Sequence, residues 1–177
     1  MSSKSVKLAF LCIIFSIQSL TLIKADEALI TKLCSSTSSP KVCTNCLESD
    51  PSSKTANDVG LVDISMICAT KDMDILYQDS FRYQGNTTDP ATKEALNQCL
   101  DQFEDAKTKV NQISDTVHSR DFNLAQQLSN KVSQQVMSCN QFFQAKGVPM
   151  PDVVANDLST VSGDWIIVMD ILGSLKS

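Results

Sequence analysis

The stretch LNQCLDQFEDAKTKVNQISDTV, residues 96–117, carries apolar side chains at alternating steps of three and four residues. This spacing places them on one face of an α-helix, because 3.6 residues make one turn. The apolar positions are Leu96, Cys99, Phe103, Ala106, Val110, Ile113 and Val117. The stretch therefore predicts a long amphipathic helix with this face buried.

Three further segments repeat the pattern. Their apolar positions are Val59, Val62, Met66, Ala69, Met73 and Leu76; then Phe122, Ala125, Ser129, Val132, Val136, Cys139 and Phe143; then Val154, Leu158, Val161, Trp165, Val168, Leu172 and Leu175. No stretch between them alternates apolar and polar residues as a strand does. Four such helices in succession predict an all-α fold, an antiparallel up-and-down four-helix bundle over residues 53–177.

Short breaks separate the predicted helices. They are YQGNTTDP at 83–90, SRD at 119–121 and KGVPMPD at 146–152. We expect the second helix to begin at Thr92, and we expect Asp58, Asp121 and Asp152 to cap the other three. The glycine in the last break is typical of a helix end. Connections this short predict antiparallel neighbours.

A smaller helical unit precedes the bundle. EALITKLC and VCTNCLES each show a short helix pattern, and the turn SSTSSPK joins them, so residues 26–52 predict a helical hairpin. Two short helices bury too little apolar surface to be stable alone. Cys34, Cys43 and Cys46 lie in this unit and suggest a metal clip, a redox centre or covalent ties to the rest of the chain.

The first 25 residues predict a cleaved secretory signal peptide. Lys4 and Lys7 precede the apolar run LAFLCIIFSIQSLTLI, and the small residue Ala25 precedes acidic residues, so we expect cleavage after Ala25. The apolar run is shorter than the roughly 20 residues that span a bilayer, which disfavours the alternative of a retained anchor. After cleavage, a single secreted domain of about 150 residues remains, with no membrane association.

Secretion changes what the cysteines indicate. Six cysteines remain after cleavage, and an oxidising compartment favours disulfides over zinc or redox chemistry. The only histidine, His118, is far from the CTNC pair, and no βαβ pattern surrounds it. We therefore expect no metal and no cofactor. Spacing alone leaves fifteen pairings open.

Catalysis and nucleic-acid binding are both disfavoured. His118 is expected at a helix end beside a turn, without a nucleophile–base constellation, and the chain has no Gly-rich phosphate loop. We expect no catalytic residue. Cleavage leaves twelve basic residues against twenty acidic ones, a formal charge of −8, which disfavours nucleic acid and anionic membranes and favours a basic partner.

The sequon NTT at 86–88 predicts N-glycosylation of Asn86. It lies in the predicted loop at 83–90, on the surface of a secreted chain. A glycan there would make this end of the bundle a poor surface for a partner.

Several stretches, in this order, resemble the plant invertase and pectin methylesterase inhibitors over essentially all of the mature chain. They are LITKLCSSTSSPKVC, LESDPSS, DVGLVDISM, TDPATKEALNQCLDQFEDAK, SRDFNLA and VMSCNQFF. The resemblance implies a secreted, non-enzymatic four-helix bundle with an N-terminal helical hairpin. It implies a protein, monomeric when free, that caps the active-site cleft of a cell-wall or vacuolar enzyme in a 1:1 non-covalent complex. The apoplast is the expected location, with the vacuole as the alternative.

The resemblance also implies two disulfides. Its pattern pairs the hairpin cysteines, here Cys34 and Cys43, and a cysteine of the second bundle helix with one of the third, here Cys99 and Cys139. The two remaining residues, Cys46 and Cys68, depart from the plainest family pattern and are left for each other. We expect a third disulfide, and the alternative is two buried free thiols.

The target is either pectin methylesterase or acid invertase. Invertase-type members resemble one another in a Pro-Lys-Phe stretch at the turn into the third bundle helix, where this chain has Arg120, Asp121, Phe122 and Asn123. This turn is more similar to the Asp-aromatic-Asn of pectin methylesterase inhibitors, so we favour that enzyme. The alternative role for Asp121 is a helix cap, and for Phe122 a core contact. A non-inhibitory relative, similar to pollen allergens, is a further alternative.

The acidic outer faces of the helices are candidate partner surfaces. These candidates are Asp101, Glu104, Asp105 and Asp115. They would steer a basic enzyme toward the bundle.

Overall fold

The computed structural model describes residues 27–176 of the chain and contains only helices, turns and loops over that range. The helices are α1 over 27–35, α2 (Pro40–Ser49), a short 3-10 turn (Pro51–Thr55), α3 (Asp58–Asn86), α4 (Pro90–His118), α5 (Phe122–Lys146) and α6 (Asp152–Ser174). The predicted boundary between hairpin and bundle falls inside the 3-10 turn. The predicted leader, residues 1–25, lies outside the described range.

The four long helices close into an up-and-down bundle, as predicted. Each packs against two neighbours, in the order α3, α4, α5, α6 and back to α3. The predicted apolar stripes face inward, and only Val59, Val110, Phe122 and Leu175 among their positions are half-buried rather than buried. Trp165 and Phe103 are the largest fully buried side chains. None of the helices within residues 27–176 has the length and apolarity to cross a membrane.

The helix starts differ from the predictions at three places. The carboxamide of Asn57, rather than Asp58, caps α3 by accepting a hydrogen bond from the Gly60 N–H at 2.9 Å. Helix α4 begins at Pro90, two residues before the predicted start, because proline fits the first helical position, where its missing N–H costs no bond. Asp152 lies inside the first turn of α6 and does not cap it, since Pro151 occupies the cap position. At this position its negative charge interacts favourably with the positive end of the helix dipole.

The loop predicted at 83–90 is shorter than expected. Helix α3 continues through Gly85 to Asn86, and the Thr87 N–H donates to the Tyr83 carbonyl at 2.9 Å. A single glycine costs a helix only about 1 kcal/mol and does not by itself end one. The predicted glycosylation site, Asn86, is therefore an exposed residue of the last helical turn rather than a loop residue. At the end of α5, Gly147 adopts the left-handed conformation expected of it, with φ 65°.

The hairpin of α1 and α2 is tied to the bundle by covalent and apolar contacts. Disulfides join Cys34 to Cys43 within the hairpin, Cys46 to Cys68 between α2 and α3, and Cys99 to Cys139 between α4 and α5. Leu33 and Leu47 of the hairpin are buried in the same core as the bundle residues. The Ser38 N–H also donates to the Asp170 carboxylate of α6 at 2.8 Å. The hairpin is thus fixed to both α3 and α6.

Loss of the Cys46–Cys68 bond is expected to destabilise the fold measurably. The bond closes a loop of 22 residues, for which the chain-entropy model gives about 3 kcal/mol of stability. We expect the Cys46→Ala/Cys68→Ala variant to lose roughly this much free energy of unfolding in a denaturant titration at fixed pH. Wild-type protein that is alkylated at both residues without reduction, and is no more stable than the variant, would contradict the bond.

Candidate functional site

The single histidine does not belong to a catalytic arrangement. His118 is the last residue of α4, its side chain is 60% exposed, and its Nε2 lies 3.0 Å from the Asp63 carboxylate. Burial raises the pKa of Asp63, and the neighbouring His118 opposes that rise. Ser114 lines the same groove, yet within residues 27–176 no hydrogen bond joins its hydroxyl to His118. Helical N–H groups around the groove are used by the helices themselves, so no oxyanion hole forms there.

The described residues also offer no metal site. Within residues 27–176 no three His, Cys, Asp or Glu side chains are grouped so that they could hold a metal ion. The six described cysteines are all in disulfides. What the molecule can offer to a partner is therefore the shape and charge of its helix surfaces.

The outer face of α4 is an acidic surface. The predicted side chains Asp101, Glu104, Asp105 and Asp115 are all exposed, and their helical angles fall within a sector of about 100°. Among the ion pairs found in the described chain, none involves these four residues. We call these four residues the acidic face of α4. Its negative charge is open to solvent and to a partner.

The basic side chains of α4 form no ion pair with this face within residues 27–176. The Lys107 ammonium turns toward α3, where it lies 2.7 Å from the Asp74 carboxylate and 5.3 Å from the centre of the Tyr77 ring. The hydrogen bond with Asp74 is the main reason that the pKa of Lys107 is raised, although the charge of Glu104 also contributes to the rise. The Lys109 ammonium donates to the Asp105 backbone carbonyl, not to its carboxylate.

The turn between α4 and α5 holds two of its four predicted partner-binding residues in structural roles. The Asp121 carboxylate caps α5 by accepting a hydrogen bond from the Leu124 N–H at 3.0 Å. Phe122 is half-buried and packs against the core. Arg120 and Asn123 are exposed. The structure thus contains the helix cap and the core contact that the sequence left open as the alternative.

Arg120 makes this turn compact. It has a left-handed backbone with φ 60°, which is uncommon for a residue with a side chain. Its N–H donates to the Val117 carbonyl at 2.9 Å, and the next N–H, of Asp121, donates to Thr116 at 2.9 Å. The Arg120 guanidinium lies 3.4 Å from the Asp58 carboxylate of α3. The turn is thereby attached to the start of the first bundle helix.

The sequon lies at the other end of the bundle. Asn86 ends α3, whereas the turn at 119–121 lies beside the start of α3 at Asp58. Helix α3 has 29 residues, so the two ends are roughly 40 Å apart. A glycan on Asn86 would leave the turn free.

Sequence patterns missed one group of side chains, the acids between α3 and α6. Asp164 is only 8% exposed, and burial, with the neighbouring Asp72 of α3, raises its pKa to about 7. Burial and the neighbouring Asp79 likewise raise the pKa of Asp157. The only signal in the sequence is that aspartates recur at a seven-residue spacing in both helices, at 72 and 79 and at 157 and 164.

The capping role of Asp121 predicts a matched pair of stability effects. We expect Asp121→Ala to lower the free energy of unfolding by about 1 kcal/mol, because the Leu124 N–H loses its acceptor. Asp121→Asn keeps an acceptor oxygen and should change stability by less than about 0.5 kcal/mol. Denaturant unfolding of both variants measures the difference. Equal stability of Asp121→Ala and the wild type would show that the cap contributes nothing.

Comparison with known proteins identifies the family of the chain. A family model described as plant invertase/pectin methylesterase inhibitor matches residues 28–163. A protein of Actinidia deliciosa named pectinesterase inhibitor is 30% identical over 105 residues, which cover 57% of this chain and 55% of that protein. The chain therefore spans about half the length of this relative.

Two solved structures share the fold. A mutant form of a pectin methylesterase inhibitor from Arabidopsis aligns with a TM-score of 0.67 at 17% identity, over 81% of this chain and 95% of that one. A pectin methylesterase inhibitor from Arabidopsis thaliana aligns with a TM-score of 0.61 at 17% identity, over 84% and 96%. The family match covers most of the helices described above, and the chain belongs to the plant invertase/pectin methylesterase inhibitor family.

Proposed function

We propose that this chain is a secreted inhibitor that binds a pectin methylesterase in a 1:1 non-covalent complex and covers its active-site cleft. The observation that carries the proposal is the family match over residues 28–163. The name of the Actinidia deliciosa relative, a pectinesterase inhibitor, supports pectin methylesterase over acid invertase. The absence of Pro-Lys before Phe122 points in the same direction.

The acidic face of α4 supports this target on electrostatic grounds. A pectin methylesterase acts on an acidic polymer, so the cleft that binds this polymer must tolerate or attract carboxylates. An exposed row of carboxylates that form no ion pair within residues 27–176 offers such a cleft a similar charge. Complementary charge of this kind mainly raises the rate of association and selects the partner.

The turn between α4 and α5 contributes to the same surface in this proposal. Arg120 and Asn123 are exposed to a partner, and the Arg120 guanidinium also pairs with the Asp58 carboxylate at 3.4 Å. Asp121 and Phe122 fix the turn from within, by the cap and by packing on the core. In this arrangement Arg120 and Asn123 bind the enzyme, and the other two residues hold them in position.

The proposal includes the path by which the protein reaches its target. Residues 1–25 are removed, the chain is secreted to the apoplast as a monomer, and Asn86 carries a glycan at the end remote from the turn. A mass spectrum of protein secreted by plant cells tests these steps together. A retained leader or an unmodified Asn86 would contradict the corresponding step.

The proposed function predicts selective inhibition of the esterase. The chain from residue 26, folded with its disulfides, is titrated against a plant pectin methylesterase and a plant acid invertase at mildly acidic pH. We expect esterase activity to fall to an endpoint near one inhibitor per enzyme and invertase activity to persist. Loss of invertase activity alone would show that the target is wrong. Inhibition of neither enzyme at micromolar concentration would favour a non-inhibitory relative.

A further prediction of the proposed function concerns the acidic face of α4. We expect Asp101→Asn/Asp105→Asn to slow association with the esterase by at least about fivefold at low salt, because two steering charges are lost. The control Glu48→Gln/Asp152→Asn removes two exposed charges from α2 and α6 and should have a smaller effect. Association of the wild type should slow as salt rises, since screening shortens to about 8 Å at physiological ionic strength. Equal effects of the two double variants, or a rate independent of salt, would exclude steering by this face.

A further inference from the structure

The interface between α3 and α6 contains carboxylates that face each other. Asp72 and Asp79 lie seven residues apart on α3, and Asp157 and Asp164 lie seven residues apart on α6. Because the two helices are antiparallel, Asp72 meets Asp164, and Asp79 meets Asp157. We call these four residues the acid seam.

The seam is shielded from water at Asp164, in the Asp72–Asp164 pair. Asp164 is 8% exposed, and its Oδ2 is buried without any donor from a neighbouring N–H or O–H group in the described chain. The Oδ2 of Asp157 is buried in the same way. Two ionised carboxylates only accept hydrogen bonds, so they cannot bond to each other. A single shared proton turns one of them into a donor, and the pair then becomes attractive.

Neighbouring elements supply little positive charge to the Asp72–Asp164 pair. On α3, Lys71 lines the same groove of about 490 Å³, but it forms no ion pair with either residue among those found in residues 27–176. The hairpin side of the groove contributes another acid, Asp50. No ion pair with a cation therefore offsets the cost of burying the Asp164 carboxyl beside that of Asp72.

The other pair of the seam has different surroundings. Arg82, one turn further along α3, forms an ion pair with Asp79, so a cation accompanies the Asp79–Asp157 pair. On α5 the basic residues are Lys131, which is exposed, and Lys146, which lies 2.6 Å from Glu94 of α4. On α6 itself, Asp170 accepts the hydrogen bond from the hairpin.

Helix α6 is also the bundle helix that the disulfides leave unattached. One bond joins α4 to α5 and another joins α3 to the hairpin, while the sequence of α6 contains no cysteine. Apolar packing and the acid seam hold it against α3. Repulsion within the seam would therefore act on the bundle helix that no disulfide holds.

We propose that the Asp72–Asp164 pair of the acid seam is a proton-operated latch that holds α6 against α3 in mildly acidic solution and weakens this contact as the solution becomes neutral or alkaline. The latch works within the free protein. It does not depend on which enzyme the protein inhibits, so the proposed function and the latch can fail separately.

The sign of the effect follows from the protons that each state binds. The unfolded chain releases the Asp164 proton near the ordinary pKa of 3.8, whereas the folded chain retains it up to a pKa of about 7. Below pH 3.8 the latch contributes its full stability. Stability then falls as pH rises, and the contribution is lost above about 7. Each unit of pKa difference is tenfold in an equilibrium constant.

Equilibrium unfolding in denaturant at pH 5 and pH 8 tests the latch. Between these values the unfolding constant of the wild type should rise by about a hundredfold from Asp164 alone. Asp164→Asn places a permanent amide donor beside Asp72 and should remove most of this dependence. Glu48→Gln, an exposed carboxylate on α2, should leave it unchanged. Comparison with Asp164→Asn cancels the pH effects of all groups that the three proteins share.

Hydrogen exchange locates the effect. After correction for the intrinsic exchange rates, amides of α6 and of the facing part of α3 should lose protection at pH 8 relative to pH 5. Amides around the Cys99–Cys139 bond should keep theirs. If Asp164→Asn fails to fold, Asp72→Asn, which removes the opposing charge and also supplies a donor, takes its place. The proposal would be overturned if the wild type and the variant lost equal stability between pH 5 and pH 8. It would also be overturned if amides throughout the bundle lost protection equally.

Discussion

The structure depends on burying one apolar stripe from each of four long helices in a single core. Trp165 and Phe103 fill its centre, and the hairpin adds Leu33 and Leu47 to the same core instead of forming its own. A pair of helices as short as α1 and α2 would be unstable alone. Its attachment by Cys46–Cys68 therefore makes it part of the bundle, with a fixed position on α3.

This architecture suits the proposed function, in which the surface recognises a partner. In long helices the backbone N–H and C=O groups bond to each other, which leaves few donors for an oxyanion or a phosphate. In the proposal the side chains outside the core are the means of recognition, and five of the twelve exposed side chains of α4 are acidic. A family of inhibitors fits such a scaffold, because inhibition requires complementarity to a cleft and no chemistry of its own.

The sequence predicted the parts of the fold that depend on local spacing. Apolar periodicity gave four buried stripes, since the same residues face the core whichever helices are neighbours. The wrong cap was predicted for α3 because two neighbouring residues, Asn57 and Asp58, are both good caps. The backbone geometry selects Asn57. Helix α3 passes Gly85 because the preference of a single glycine against helix is weak, about 1 kcal/mol.

The candidate site was only partly predictable. The acids of α4 are exposed because their positions lie opposite the apolar stripe, which the sequence shows directly. The acid seam is different, because Asp72 and Asp164 are 92 positions apart and become neighbours only when α3 and α6 pack. Periodicity alone places an aspartate beside the stripe; whether it meets water, a lysine or another aspartate depends on the opposite helix.

The two sets of carboxylates have opposite relations to their surroundings. Those on α4 are exposed, and their charge acts over distances that salt screens. In the seam, Asp164 is shielded from water, where salt has little effect and a proton has a large one. The net charge of the chain therefore says little by itself, because in the two proposals the same residue type serves recognition outside the bundle and cohesion within it.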